Sequence, residues 1–224
     1  MKTGEGMPQV FSSNANGIAR FILWGLCFFA IFAAIGGTAL LRSGFITGVG
    51  RPVAQAVPFS HKHHVGDIGL DCRYCHNGVE TSASAGLPAT EVCMTCHSQI
   101  FTNADMLAPV RASLASGQPL QWQRVNSVPD FVYFNHSIHI AKGVACETCH
   151  GDVDDMPLMQ RAHSLSMEWC LGCHRDPGPN LRPPQDVFLL HWNPPQDIEQ
   201  VRRSLISILD IHPETMTDCY VCHR

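Results

Sequence analysis

The chain has 224 residues, enough for one or two domains, with only 15% charged side chains and a net charge of -4. Its mean hydropathy of +0.01 is high for a soluble chain, and one N-terminal segment accounts for most of the excess. The mild acidity leaves no basic surplus for a nucleic-acid surface.

Residues 1–20 hold Lys2 and Arg20 and read as a short cytoplasmic segment. Phe21–Leu41 follows as an uncharged, mostly apolar run of 21 residues bounded by Arg20 and Arg42. At 1.5 Å per residue a helix over it is about 30 Å long, the thickness of a bilayer core. The apolar stretch of a cleavable signal runs only about 7–15 residues, and the nearest small-x-small site, Ala54-Gln55-Ala56, lies far downstream. The segment therefore reads as an uncleaved transmembrane anchor at residues 21–41. Flanking charge does not orient it, because Lys2 and Arg20 balance Arg42 and Arg51. Cys27 inside it reads as a small packing residue.

Residues 42–58 are rich in Gly, Pro and small side chains and read as a tether. Two unequal repeats then fill residues 59–133 and 134–224. The first opens with Phe59-Ser-His61-Lys-His63-His64 and the second with Phe134-Asn-His136-Ser-Ile-His139, a shared F-x-H-x-x-H lead-in that suggests duplication of one unit. Between the two lead-ins, Ala104–Ala115 predicts a short helix. Pro177–Pro195 holds six prolines and predicts loop or extended chain, with an apolar patch at Phe188, Leu189, Leu190 and Trp192. Ile198, Val201, Leu205, Ile206 and Leu209 recur at helical spacing and predict a last helix over 197–209. No strand-like alternation stands out.

Ten of the eleven cysteines form five C-x-x-C pairs, each followed at once by histidine. They are Cys72, Cys75 and His76; Cys93, Cys96 and His97; Cys146, Cys149 and His150; Cys170, Cys173 and His174; and Cys219, Cys222 and His223. Eleven cysteines and thirteen histidines placed at random in 224 residues would yield roughly 0.03 such pentapeptides of the haem-attachment type. The two thiols are spaced to add to the vinyl groups on one haem edge, and the adjoining histidine then ligates the iron. Zinc wants thiolates converging in fours, and neither zinc nor a disulfide explains a histidine after every pair. The motifs thus predict five covalently held haem c groups, with His76, His97, His150, His174 and His223 as proximal ligands. Haem is attached outside the bacterial cytoplasmic membrane, which places the haem domain on the periplasmic face.

Eight histidines remain for the opposite side of each iron: His61, His63, His64, His136, His139, His163, His191 and His212. In each lead-in the outer two lie three residues apart and share a face on a helical turn. His61 and His64 are therefore the expected distal ligands of the first two haems, and His136 and His139 of the third and fourth. His163 and His212 each stand seven residues ahead of an attachment motif, where the first repeat has Gly86. His163 is the expected fifth ligand, with His212, Met156 and Met159 as alternatives, and His63 is a bystander. Enough ligands exist to close every iron, which points to electron transfer rather than to a reductase with an open site. The expected fold class is mostly α and irregular: one N-terminal transmembrane helix, then a haem-packed domain with little or no sheet. So short a chain per haem cannot build a thick core of its own.

The lead-ins followed by C-x-x-C-H resemble the cytochrome c3/c7 class, in which one lead-in, a histidine ahead of the middle motif and three attachment sites make a trihaem unit, as in residues 134–223. The longer combination of anchor, PFSHKHHVGDIGLDCRYCH (58–76), PDFVYFNHSIH (129–139), MEWCLGCHR (167–175) and CYVCHR (219–224) resembles the pentahaem cytochrome subunit of bacterial alternative complex III. That resemblance implies a quinol:electron-acceptor oxidoreductase of the respiratory chain. Its partners would be polytopic quinol-oxidising subunits, an iron–sulfur subunit and a monohaem cytochrome, with delivery to a soluble carrier or oxidase. The alternative is a quinol dehydrogenase of the NapC/NrfH type with its own quinol site. In those proteins the first motif usually follows the anchor closely, whereas here a long segment separates Leu41 from Cys72.

Overall fold

The structure, a computed structural model, describes residues 11, 12 and 14–223. Residues 1–10 of the expected cytoplasmic segment, Lys2 among them, and Arg224 lie outside the described residues. The chain divides into two compact units at Thr47/Gly48.

The first unit contains helix α1, Ala15–Arg42, and the short α2, Gly44–Thr47. Helix α1 encloses the whole uncharged run, and with 28 residues it extends about 42 Å. Its most apolar window has a mean hydropathy of 2.3 and none of it is buried, so by length and composition it is able to cross a membrane.

The second unit is helical and irregular, and among the described residues it contains no sheet, only isolated two-residue bridges. A π-helical turn, Lys62–Asp67, carries the first lead-in. It is followed by α3 (Cys72–Cys75), α4 (Thr90–His97), α5 (Ala108–Ser116), α6 (His136–Ala141), α7 (Cys146–His150), α8 (Met167–Arg175), α9 (Ile198–Ile208) and α10 (Cys219–Cys222). Each C-x-x-C pair thus sits on a helical turn, where positions three apart point the same way. Local capping starts several of these turns: Asp71 accepts from the Arg73 N–H, Asn135 from Ile138 and Ser166 from Trp169. The helix expected at 104–115 is a 3₁₀ turn, Asp105–Leu107, continuing into α5. The Pro-rich stretch holds two 3₁₀ turns, Gly178–Asn180 and Pro184–Asp186.

The aliphatic core is small. Among the described residues eleven hydrophobic side chains are buried, and they fall mainly into two clusters. One comprises Val57, Leu107 and Val110 with Cys93, Met94 and Trp122 against it. The other comprises Val144, Leu181, Leu205 and Ile211, packed on Cys149 and Met216. Helix α9 supplies Leu205 to this second cluster, so its apolar face covers the Cys146–Cys149 motif. Gly143, at φ +80, lets the chain cross close to residue 182: a Cβ there would lie 2.5 Å from the Arg182 carbonyl oxygen.

Residues 48–58, which composition alone reads as a tether, run alongside 159–161. Gly50 N–H donates to the Arg161 carbonyl at 2.8 Å and Val53 N–H to Met159 at 3.1 Å, and Val57 is buried. In the expected apolar patch the guanidinium of Arg73 lies 4.4 Å over the Phe188 ring and that of Arg182 lies 5.0 Å over Trp192. The neighbouring Val187, outside the expected patch, is the side chain that becomes fully buried.

Candidate haem-binding site

The two lead-ins fold into the same local geometry. Phe59 stacks on His64 (centroids 4.3 Å, 24°) and meets His61 edge-on (4.9 Å, 87°). Phe134 stacks on His139 (4.5 Å, 30°) and meets His136 edge-on (4.7 Å, 89°). In both, the residue before the first histidine offers its carbonyl oxygen to Nδ1 of the second: Ser60 to His64 at 2.9 Å and Asn135 to His139 at 2.7 Å. The aromatic and the carbonyl together fix two rings on either side of one turn.

Three of the four placed rings meet a histidine of an attachment motif. His64 and His97 have ring centroids 6.2 Å apart, His136 and His150 6.4 Å, and His139 and His174 6.2 Å. Two metal–nitrogen bonds of about 2 Å in line leave roughly 6 Å between ring centres, so each pair is spaced for one six-coordinate iron. The fourth ring, His61, is largely buried, and desolvation lowers its pKa to about 4, with His76 as the strongest like-charge neighbour. Burial likewise holds His150 at about 4, with His136, His76 and His163 adding repulsion. These rings are kept neutral, the state that ligates metal.

The hydrogen bonds select the ligating nitrogen. Nδ1 of His76 faces the Gly86 carbonyl (2.7 Å), His97 that of Ile100 (3.2 Å), His136 that of Ala83 (2.8 Å), His174 that of Met216 (2.9 Å) and His223 that of Phe131 (3.2 Å). With Nδ1 donating to a carbonyl, Nε2 keeps its lone pair for a metal. Gly86, at φ +81, makes the turn that aims its carbonyl at His76. For His150 the group opposite Nδ1 is Asn126 Nδ2 at 3.1 Å, while Asn126 Oδ1 is buried without a partner. Exchanging the amide oxygen and nitrogen lets the His150 Nδ1–H donate to Asn126 Oδ1, as the other rings donate to carbonyls, and leaves Nε2 for a metal.

The remaining histidines are bound differently. His63 Nδ1 lies 3.3 Å from Asp67 on the surface, and His191 Nε2 lies 2.8 Å from Asp154. His212 has both ring nitrogens on carboxylates, Asp210 and Glu214. His163 stacks on Trp169 at 5.2 Å and borders a cavity of about 480 Å³ that also reaches Met156. Among the described residues no three or more His, Cys, Asp or Glu side chains converge on a metal position. The histidines meet in twos, the arrangement suited to a metal whose other four donors come from a porphyrin.

All eleven cysteines are free of disulfides. Interaction with Cys146 draws the Cys72 thiol down to about 7, and interaction with Cys72 pushes Cys146 up. Burial lifts Cys149 to about 12. Asn126 and the carbonyl partners of the rings are functional groups that sequence reasoning misses. For Asn126 no local pattern points to it, whereas the two lead-in phenylalanines are visible as part of the repeat.

No family model matches the chain. Over 97 residues it is 37% identical to the menaquinone reductase multihaem cytochrome c subunit of Nitratidesulfovibrio vulgaris. That stretch is 43% of this chain and 45% of the relative, so the match spans less than half the length of either. This likeness, lying beside five C-x-x-C-H motifs and paired imidazoles, supports a multihaem cytochrome c and goes no finer.

Proposed function

We propose that the chain is a membrane-anchored pentahaem cytochrome c, the electron-carrying subunit of a quinone-linked membrane complex. The observation that carries this is the triple recurrence of an imidazole pair 6.2–6.4 Å apart, each with one member in a C-x-x-C-H motif. Haem c supplies a one-electron couple whose potential follows its axial ligands. The protein's part is to hold and orient. The ten motif cysteines attach the groups, and His76, His97, His150, His174 and His223 are the proximal ligands. The distal ligands are His61 with His76, His64 with His97, His136 with His150, His139 with His174, and His163 with His223. For the last pair His163 is preferred to His212, whose two nitrogens both lie on carboxylates, and to Met156 and Met159, because an imidazole matches the other four pairs. The second unit divides functionally into a dihaem part, 59–133, and a trihaem part, 134–224, on the periplasmic face of the cytoplasmic membrane.

Within such a complex the first reading is relay away from quinol: polytopic subunits oxidise quinol, and this chain passes electrons towards a periplasmic carrier or oxidase, as in alternative complex III. A second reading is favoured by the likeness to a menaquinone reductase subunit, in which electrons run from the periplasm into the quinone pool. The detergent-purified complex, offered quinol with an oxidised acceptor and then quinone with a reduced donor, separates the two by which assay turns over. Oxidation of quinol by the purified subunit alone would overturn both in favour of a NapC/NrfH-type enzyme. Intact-mass measurement tests the haem count: five additions are expected on a chain that retains residues 21–41, and fewer would remove the corresponding ligand pairs.

A further inference from the structure

The contacts between motifs set an order that differs from their order in the chain. Motifs one and two are joined through the first lead-in, whose His61 and His64 occupy one turn, and through Tyr74 and Thr95, whose hydroxyls lie 2.8 Å apart. Across the repeat boundary, the second lead-in and the segment after the third motif are held by the loop after the first motif and by the first lead-in, while Asn126, in the connection between the repeats, meets His150. The loop after the first motif receives the backbone N–H of His136 at Ala83 and of Ser137 at Ser82, both at 3.2 Å, and the His136 Nδ1 at Ala83 at 2.8 Å. The first lead-in in turn lies on the segment after the third motif, where Lys62 N–H donates to Met156 at 3.0 Å and Lys62 Nζ sits 3.7 Å from Asp155.

Beyond that junction the sites follow the chain. Helix α6 presents His136 to His150 and, one turn on, His139 to His174, so motifs three and four share it. His174 then donates to the Met216 carbonyl at 2.9 Å, just ahead of Cys219. Exposure agrees with two ends: of the ten attachment cysteines, Cys96 and Cys219 are the exposed ones.

We infer that the five attachment sites form an unbranched series in the order Cys93/Cys96, Cys72/Cys75, Cys146/Cys149, Cys170/Cys173, Cys219/Cys222, with the two repeats meeting where the loop after Cys72/Cys75 holds His136 and the first lead-in lies on Met156. The first two sites are reversed in space relative to the chain. A redox centre at the third site therefore has the first and fourth as neighbours, and the second site is an end. This rests on the haem reading above. Because charge interactions fall with separation, a centre's midpoint responds most to the oxidation state of the centres beside it.

The test uses the full chain in detergent, after mass measurement has shown five haems. His64→Met, His61→Met and His136→Met each replace one imidazole by a thioether, which raises that site's potential and identifies its signals in NMR-resolved redox titrations. In His136→Met the midpoints at the Cys72/Cys75 and Cys170/Cys173 sites should shift, while those at Cys93/Cys96 and Cys219/Cys222 stay in place. A shift at Cys93/Cys96 without one at Cys72/Cys75 would overturn the series in favour of chain order. If His136→Met loses its haem, Overhauser contacts between haem methyls of the reduced, unsubstituted protein decide, with assignments from the His61 and His64 variants. Cross-peaks between first and third sites support the series, and cross-peaks between second and third sink it. A chain carrying no haem would fail the functional reading itself, whereas five haems coupled in chain order would fail this inference alone.

Discussion

At the level of single residues, eleven of the thirteen histidines are sorted by what holds a ring nitrogen, His61 and His163 standing outside the pattern. In eight of the ten assigned as ligands, Nδ1 is matched by a backbone carbonyl or by Asn126. In His63, His191 and His212 a ring nitrogen is instead taken by a carboxylate. The distinction predicts how Asn126 acts. A stronger acceptor on Nδ1 makes an imidazole more basic and a better donor to ferric iron. Asn126→Asp should therefore lower the midpoint of one haem and Asn126→Leu should raise it, read by potentiometric titration against the unchanged other four. His191 offers a separate pH prediction. The hydrogen bond to Asp154 raises its pKa, with Asp152 and Asp155 adding to the pull. Its contribution to stability is then fully present below the unfolded value of about 6.5 and is lost as pH rises through the higher folded value. Stability of the wild type against denaturant should fall across that interval more than that of His191→Gln, and parallel curves would exclude the effect.

Among the elements, the F-x-H-x-x-H turn is the unit that recurs, and the role of its phenylalanine emerges only once the rings are placed. Phe134 is in contact with both histidines of its turn, stacked on one and edge-on to the other. Phe134→Leu keeps apolar bulk but removes the ring geometry. It should lower unfolding stability by about 1 kcal/mol, the scale of an aromatic pair beyond its area, measured by urea titration of the haem-loaded protein. The repeat is legible in the sequence because F-x-H-x-x-H survives as a string. The last helix is legible too, since Ile198, Val201, Leu205 and Leu209 keep helical period, and α9 is found at Ile198–Ile208. The tether rests on Gly and Pro content alone. Composition reports that a segment is irregular, but not that Val53 donates to Met159 or that Val57 is buried.

For the molecule as a whole, the question is what fills the second unit. Two aliphatic clusters of three and four buried residues, each leaning on motif cysteines, are too little to hold the unit's chain together against its conformational entropy. A chain with all ten motif cysteines changed to serine should therefore lose most helical circular dichroism outside α1 and be cut rapidly by protease, and a protease-resistant second unit would contradict this. What sequence by itself determined is local: the five C-x-x-C-H motifs, the duplicated F-x-H-x-x-H and the apolar run of α1 are all patterns set by neighbours within a few positions. Only the tertiary structure decided which imidazole faces which, that Asn126 meets His150, and that Ala83 meets His136. Those depend on distances between residues far apart in the chain, which follow from how the intervening turns close and leave no periodic trace along it.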